Sequence, residues 1–183
     1  KRSLKIKIGS EGWGIATDDG TTLFVTDSTD SLFHVEPETY VVRKKLQIVD
    51  PQLGGKAIHG VNELEMVGGE LWGNVYPMYQ HKASECVVRI NATSGAVLGW
   101  IDLRGLLSRQ RAEVRRESHS YVLNGIAYHA QSRRLYVTGK KWDKMYQVRI
   151  TPQPDKGPAD VLANCQLGLS LAPPHSSEDF VEG

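Results

Sequence analysis

With 183 residues, 40% of them hydrophobic and 23% charged, the chain has the size and composition of one sizeable globular domain. A formal net charge of +1 supplies no electrostatic reason for a nucleic-acid or anionic-membrane partner. No run of about 18 apolar residues occurs, so nothing reads as a membrane-spanning helix.

In chain order, residues 1–10 alternate lysines with apolar side chains and place Leu4, Ile6 and Ile8 on one strand face. This reads as a strand already under way, with further chain expected upstream. Short β-type runs then follow at 13–17, 23–26, 32–35 and 41–48, separated by Asp18-Asp19-Gly20, Ser28-Thr29-Asp30 and Glu36-Pro37-Glu38-Thr39, all turn chemistry. A second group occupies 63–67, 71–75, 86–90 and 97–103, with turns at Gly68-Gly69 and Asn91-Ala92-Thr93-Ser94-Gly95. The stretch 106–120, rich in Arg, Glu, Leu and Ala, predicts a short helix or an exposed loop. A third group covers 125–129, 135–138 and 145–150. From 151 to 183 Pro, Asp and Ser dominate around a moderately apolar stretch at 161–172, which predicts a tail that leaves the domain and docks back through 167–171.

The three groups are copies of one another. GWGIATDDGTTLFVTD from Gly12 aligns with LNGIAYHAQSRRLYVTG from Leu123, and more loosely with VNELEMVGGELWGNV from Val61. Starts near 12, 62 and 124 are spaced by about 50 and about 62 residues, the range of propeller blades with insertions. A blade cannot bury both faces alone, so such repeats stack radially. The expected fold is therefore all-β: a partial β-propeller over 1–150, with blades near 12–50, 62–103 and 124–150. Residues 1–10 would be an outer strand of a preceding blade, and 151–183 a Pro-rich tail. Closed propellers have about four to eight blades, so three need completion by upstream chain, a second chain or a dimer partner. A β-sandwich is the alternative reading of short, evenly spaced strands.

Cys86 and Cys165 are able to form one disulfide, but spacing cannot show that they meet. The position of Cys165 in the tail favours two unpaired thiols. Asn91-Ala92-Thr93 is a glycosylation triplet at a turn, meaningful only in a secreted protein.

Familiar catalytic signatures are missing from the sequence. The six histidines (His34, His59, His81, His119, His129 and His175) are scattered, with no pair at metal-ligand spacing and no CxxC. There is no G-x-S-x-G, P-loop or dinucleotide fingerprint. What stands out is repeat position. Trp13, Asn62 and Asn124 fall at equivalent starts of the first strand of each repeat, where side chains of several blades converge on a central mouth and line a pocket. Lys140 follows the second strand of its repeat. Each also has an ordinary reading, as inter-blade packing, turn satisfaction or a solvated cation.

The phrases EGWGIATDDGTTLFVTDSTDSLFHVEPETY, VNELEMVGGELWGNVY, SGAVLGWIDL and VLNGIAYHAQSRRLYVTGKKWDKMYQV together resemble the plant and bacterial glutaminyl-peptide cyclotransferase family over about residues 5 to 150. Insertions interrupt the likeness at 78–84 and 110–120. The resemblance implies a five-bladed propeller without catalytic metal or cofactor. Its activity would be closure of an N-terminal glutamine to pyroglutamate with release of ammonia, on peptides or proteins bearing that residue. It places Trp13 in the substrate pocket and Asn62 and Lys140 in the active site. Tyr76 stands where the family commonly carries a tryptophan. The family's acid/base glutamate, in an FGEG motif, and an FTQG motif are both missing from these 183 residues, so this chain alone is expected to be inactive. Glu63 and Glu65 do not replace that glutamate, because the family carries them in addition. A propeller that only binds peptides or proteins is the alternative. A sugar-lactonase-like propeller would need convergent carboxylates for calcium, and the sequence shows no such cluster. The compartment stays open, with the secretory pathway or periplasm suggested by the resemblance.

Overall fold

Residue 8, residues 11–76 and residues 84–165 are described by the computed structural model. The first repeat forms β1 (Ile15–Thr17), β2 (Leu23–Thr26), β3 (Ser31–Val35) and β4 (Val42–Gln47), hydrogen-bonded in that order as one antiparallel meander. A short hairpin, β5 (Val49–Asp50) with β6 (Lys56–Ala57), leads to the second repeat. There β7 (Val61–Val67), β8 (Glu70–Val75), β9 (Cys86–Ile90) and β10 (Val97–Asp102) repeat the four-stranded order. The third sheet has three strands, β11 (Leu123–His129), β12 (Arg134–Gly139) and β13 (Tyr146–Val148). Between the second and third sheets lie a 3-10 turn at Leu107–Arg109 and α1 (Ala112–Arg116), in the segment expected to be helix or loop. Three meanders in series replace the two facing sheets that a sandwich requires.

Turn chemistry sets the strand ends. Asp18 Oδ1 accepts from Thr22 N (2.8 Å) and Thr21 Oγ1 (2.8 Å) to close β1 onto β2. Gly68 and Gly69, at φ +59° and +89°, make the tight β7–β8 turn that a side chain would strain. The inner strands β2, β3 and β9 are buried on both faces, which is why their apolar runs barely alternate. Leu32 of β3 faces the core shared with the second sheet, while Phe33 and Val35 face a separate cluster with Val25, against which Ile8 packs. In β9, Val88 and Ile90 point toward the first sheet and Val87 toward the third. The second sheet is thus covered on both sides, and each fully buried aliphatic side chain contributes about 1.5–3 kcal/mol.

Two expectations need correction, and one element was missed. The connection 48–60 carries the β5–β6 hairpin and supplies Ile48, Leu53 and Ile58 to the first core. Its Asp50 carboxylate holds the turn, accepting from Gln52 N (2.8 Å), and reaches Trp100 Nε1 (2.7 Å) on β10. Polar and glycine-rich, this stretch has no strand-like run for a sequence pattern to find. Cys86 and Cys165 are not free thiols: they form a disulfide with Cα atoms 5.4 Å apart. The tail therefore does not simply leave the domain. Pro158–Cys165 forms α2, with proline at its first position, and this helix packs on β10. The expected docking of 167–171, the strand face of Leu4 and Ile6, and most of the 78–84 insertion lie outside the described residues.

Candidate active site

The first strands of the three sheets lie side by side, β1 against β7 and β7 against β11. Each begins where the second strand of its own sheet ends: Val61 pairs with Val75, and Leu123 with Gly139. Both pairings shift register immediately afterwards, between Val61 and Leu64 and between Leu123 and Ile126. The two bulges contain Asn62-Glu63 and Asn124-Gly125, the same repeat position twice. Trp13-Gly14 precedes β1 at the third equivalent place, with Trp13 N donating to Thr26 O (2.9 Å) and Gly14 N to Thr26 Oγ1 (3.1 Å). A bulge re-aims side chains at the rim of a sheet, and here it does so at the same end of the second and third sheets.

Gly14 permits a close approach between the first and second sheets. A Cβ there would lie 2.8 Å from Leu64 Cγ and from Thr26 Oγ1, and 3.2 Å from Asn62 O. The Trp13 segment is thereby held against the Asn62 bulge. Tyr76, anchored by its N–H to Gly60 O (2.8 Å), meets Trp13 edge-on with ring centroids 5.6 Å apart. Such a T-shaped pair offers two apolar walls at right angles. Asn62 is half-buried and its Oδ1 accepts from Glu63 N (2.9 Å), which directs Nδ2 away from its own backbone.

Asn124 and Lys140 stand at the same end, on the third sheet. Lys140 directly follows β12, its N–H donates to Val122 O (2.9 Å), and its side chain is exposed. The loops beside it are laced together. Trp142 Nε1 donates to Tyr121 O (2.7 Å), Gln110 Nε2 to Tyr146 OH (3.0 Å) and Arg111 N to Asp143 Oδ1 (3.2 Å). Trp13 and Tyr76 are thus in contact next to Asn62, whereas Asn124 and Lys140 share the rim without a side-chain bond to them among the described residues.

One residue that the sequence reading passed over belongs here. Asn74, next to last in β8 and 1% exposed, accepts from Gly125 N (3.1 Å) through Oδ1 and so anchors the bulge that carries Asn124. Its Nδ2 is buried without a partner. A buried, unpaired donor costs about 1–3 kcal/mol unless a water or another acceptor meets it. The available signal was its repeat position, since Thr26 and Thr138 occupy the equivalent places.

The carboxylates close by face the neighbouring strand. Glu63 accepts from Ile126 N–H, and burial pushes its pKa up, opposed by that hydrogen bond and reinforced by the Glu65 charge. Glu65 accepts from Tyr128 N (2.8 Å). Glu85 is likewise raised by burial while accepting from the N–H groups of Leu107, Gly105 and Leu106. All three hold backbone in place. A cleft of about 490 Å³ lies at the opposite end of the second and third sheets, lined among others by Val67, Trp72, Tyr128, Arg134 and Gln147, away from these residues.

Three comparisons bear on this arrangement. A family model described as glutamine cyclotransferase matches residues 1–150. The glutaminyl-peptide cyclotransferase of Arabidopsis thaliana is 39% identical over 142 residues, which are 76% of this chain and 40% of that protein. The crystal structure of the Myxococcus xanthus glutaminyl cyclase superposes with a TM-score of 0.67 at 28% identity, covering 81% of this chain and 59% of that one. The chain thus spans less than two thirds of either relative. On the match over residues 1–150, this chain belongs to the glutamine cyclotransferase family.

Proposed function

We propose that these residues are part of a glutaminyl-peptide cyclotransferase that converts N-terminal glutamine of peptides or proteins to pyroglutamate. The observation that carries this reading is the Trp13–Tyr76 pair beside Asn62, at the end of the sheets from which Lys140 also emerges. In this reading the three sheets are consecutive blades of a five-bladed propeller, which fits the side-by-side packing of β1, β7 and β11. Further blades, or a second chain, then cover the flank formed by Val25, Phe33 and Val35 and complete the ring past β13.

The chemistry divides among the residues as follows. The substrate α-amine attacks its own γ-carboxamide carbon, a tetrahedral intermediate forms, and ammonia leaves as the lactam closes. Trp13 and Tyr76 wall the flexible side chain into a folded shape in which amine and carbonyl meet. Asn62 Nδ2 and the Lys140 ammonium are donors for the developing oxyanion and the peptide backbone. Asn124 lines the substrate side of the mouth. The proton passes from amine to leaving nitrogen through a carboxylate. No FGEG motif occurs in these 183 residues, and that carboxylate is assigned to a segment outside them. No catalytic metal enters this scheme.

In the full-length enzyme, Asn62→Ala and Lys140→Ala should each lower kcat on a Gln-peptide by about 10²–10³-fold, the scale for losing an oxyanion donor. Near wild-type turnover would remove that residue from the site. The isolated 183-residue chain should form no pyroglutamate, and activity in it would overturn the assignment of the carboxylate.

A further inference from the structure

Asn91 ends the β9 side of the β9–β10 connection, at the end of the second sheet opposite Tyr76 and Asn62. Asn91-Ala92-Thr93 is an acceptor triplet for an N-linked glycan, and neither Ala92 nor the following Ser94 is proline. A triplet alone carries little. Two features of the structure give this one weight.

The first is the Cys86–Cys165 disulfide, with both cysteines buried. Such bonds persist in oxidising compartments, among them the endoplasmic reticulum lumen, where N-glycans are also added. The second is the geometry of the amide. Asn91 Oδ1 accepts from Thr93 N (2.9 Å), Thr93 Oγ1 (2.8 Å) and Ser94 N (3.1 Å). Three donors on one atom identify it as the carbonyl oxygen, and trigonal Cγ then turns Nδ2 away from the turn. Nδ2 has no acceptor among the described residues and is not one of their buried unpartnered atoms. The turn is closed by Oδ1 and by backbone, through Gly95 N to Asn91 O (2.9 Å) and Asn91 N to Ala96 O (2.8 Å). Replacing one hydrogen on Nδ2 leaves every one of these bonds intact.

We propose that Asn91 carries an N-linked glycan. Nδ2 attacks the anomeric carbon of an oligosaccharide esterified to a lipid diphosphate. The anomeric C–O bond breaks, and the lipid diphosphate leaves with the electron pair. One Nδ2 proton goes to a base of the transferase, and nothing is oxidised or reduced. The sugar then stands at the outer rim, near β4, from which Lys44 Nζ reaches Thr93 O (2.8 Å), and leaves the opposite end of the sheets free.

The test uses full-length protein purified from the cells that make it. Peptide N-glycosidase treatment in ¹⁸O-water should convert Asn91 to labelled aspartate and increase gel mobility. Thr93→Ser should retain the modification, while Asn91→Gln and Thr93→Ala should abolish it. An unlabelled Asn91 in the wild-type protein overturns the proposal. The wild-type map does not depend on whether any variant folds.

Discussion

The seams on either side of the second sheet join the same kinds of strand by different chemistry. Between the first and second sheets, Gly14, just before β1, and Ala16 within it are small enough for the chains to touch, and a large apolar core fills the space behind them. Between the second and third sheets, β7 presents Glu63 and Glu65 at the equivalent positions. Their carboxylates accept the N–H groups of Ile126 and Tyr128. Asn74 adds Gly125 N, and the apolar cluster behind is smaller. Close packing needs no titratable group. The polar seam satisfies the free backbone edge of β11 but places partly buried carboxylates there, at a cost unless each hydrogen bond is made. Trp13, Asn62 and Tyr76 stand at the tight seam, whereas Asn124 precedes Gly125, whose N–H the polar one holds.

The largest expected effect lies on the outer flank of the second sheet. Cys165→Ser, which releases α2 from β9, should lower stability by about 2–4 kcal/mol in denaturant melts, a range typical of a long disulfide loop. Equal stability in the presence and absence of reductant would contradict it. At the tight seam, Gly14→Ala should cost about 1–3 kcal/mol by overpacking against Leu64 and Asn62 O, and should disturb the Trp13–Tyr76 pair. At the polar seam, Asn74→Ala leaves Gly125 N–H unpaired, for a loss of about 1–3 kcal/mol. If that anchor matters for the site, turnover of the full-length enzyme falls as well.

The smallest effect distinguishes the seams by pH. Glu63 has a folded-state pKa raised above its ordinary 4.5, so the folded form holds more protons in the window just above that value. Stability from this group is therefore greatest below it and falls as pH rises through the raised pKa. Glu63→Gln keeps an acceptor for Ile126 N–H and removes the charge, so Tm against pH should flatten in that window. An unchanged slope would assign the dependence elsewhere, and Gly14→Ala should not alter it.

Much of the fold was legible because turn residues and apolar runs are local. Gly68-Gly69, Asp18-Asp19-Gly20 and the aligned GWGIA, VNELE and LNGIA phrases place strands and repeats without reference to anything distant. The site was legible only as repeat positions, together with a resemblance for the roles of Trp13, Asn62, Tyr76 and Lys140. Asn74 was missed because its meaning is a bond to Gly125, 51 residues away.

The sequence by itself determined the all-β class, the three strand groups and the end of each group that carries the singular residues, since period and turn chemistry act over a few neighbours. Tertiary structure alone decided the pairing of Cys86 with Cys165 and the burial of Ile48, Leu53 and Ile58. It also decided which seam is tight and which is polar. Those outcomes depend on which surfaces meet, and on whether a buried donor finds an acceptor there.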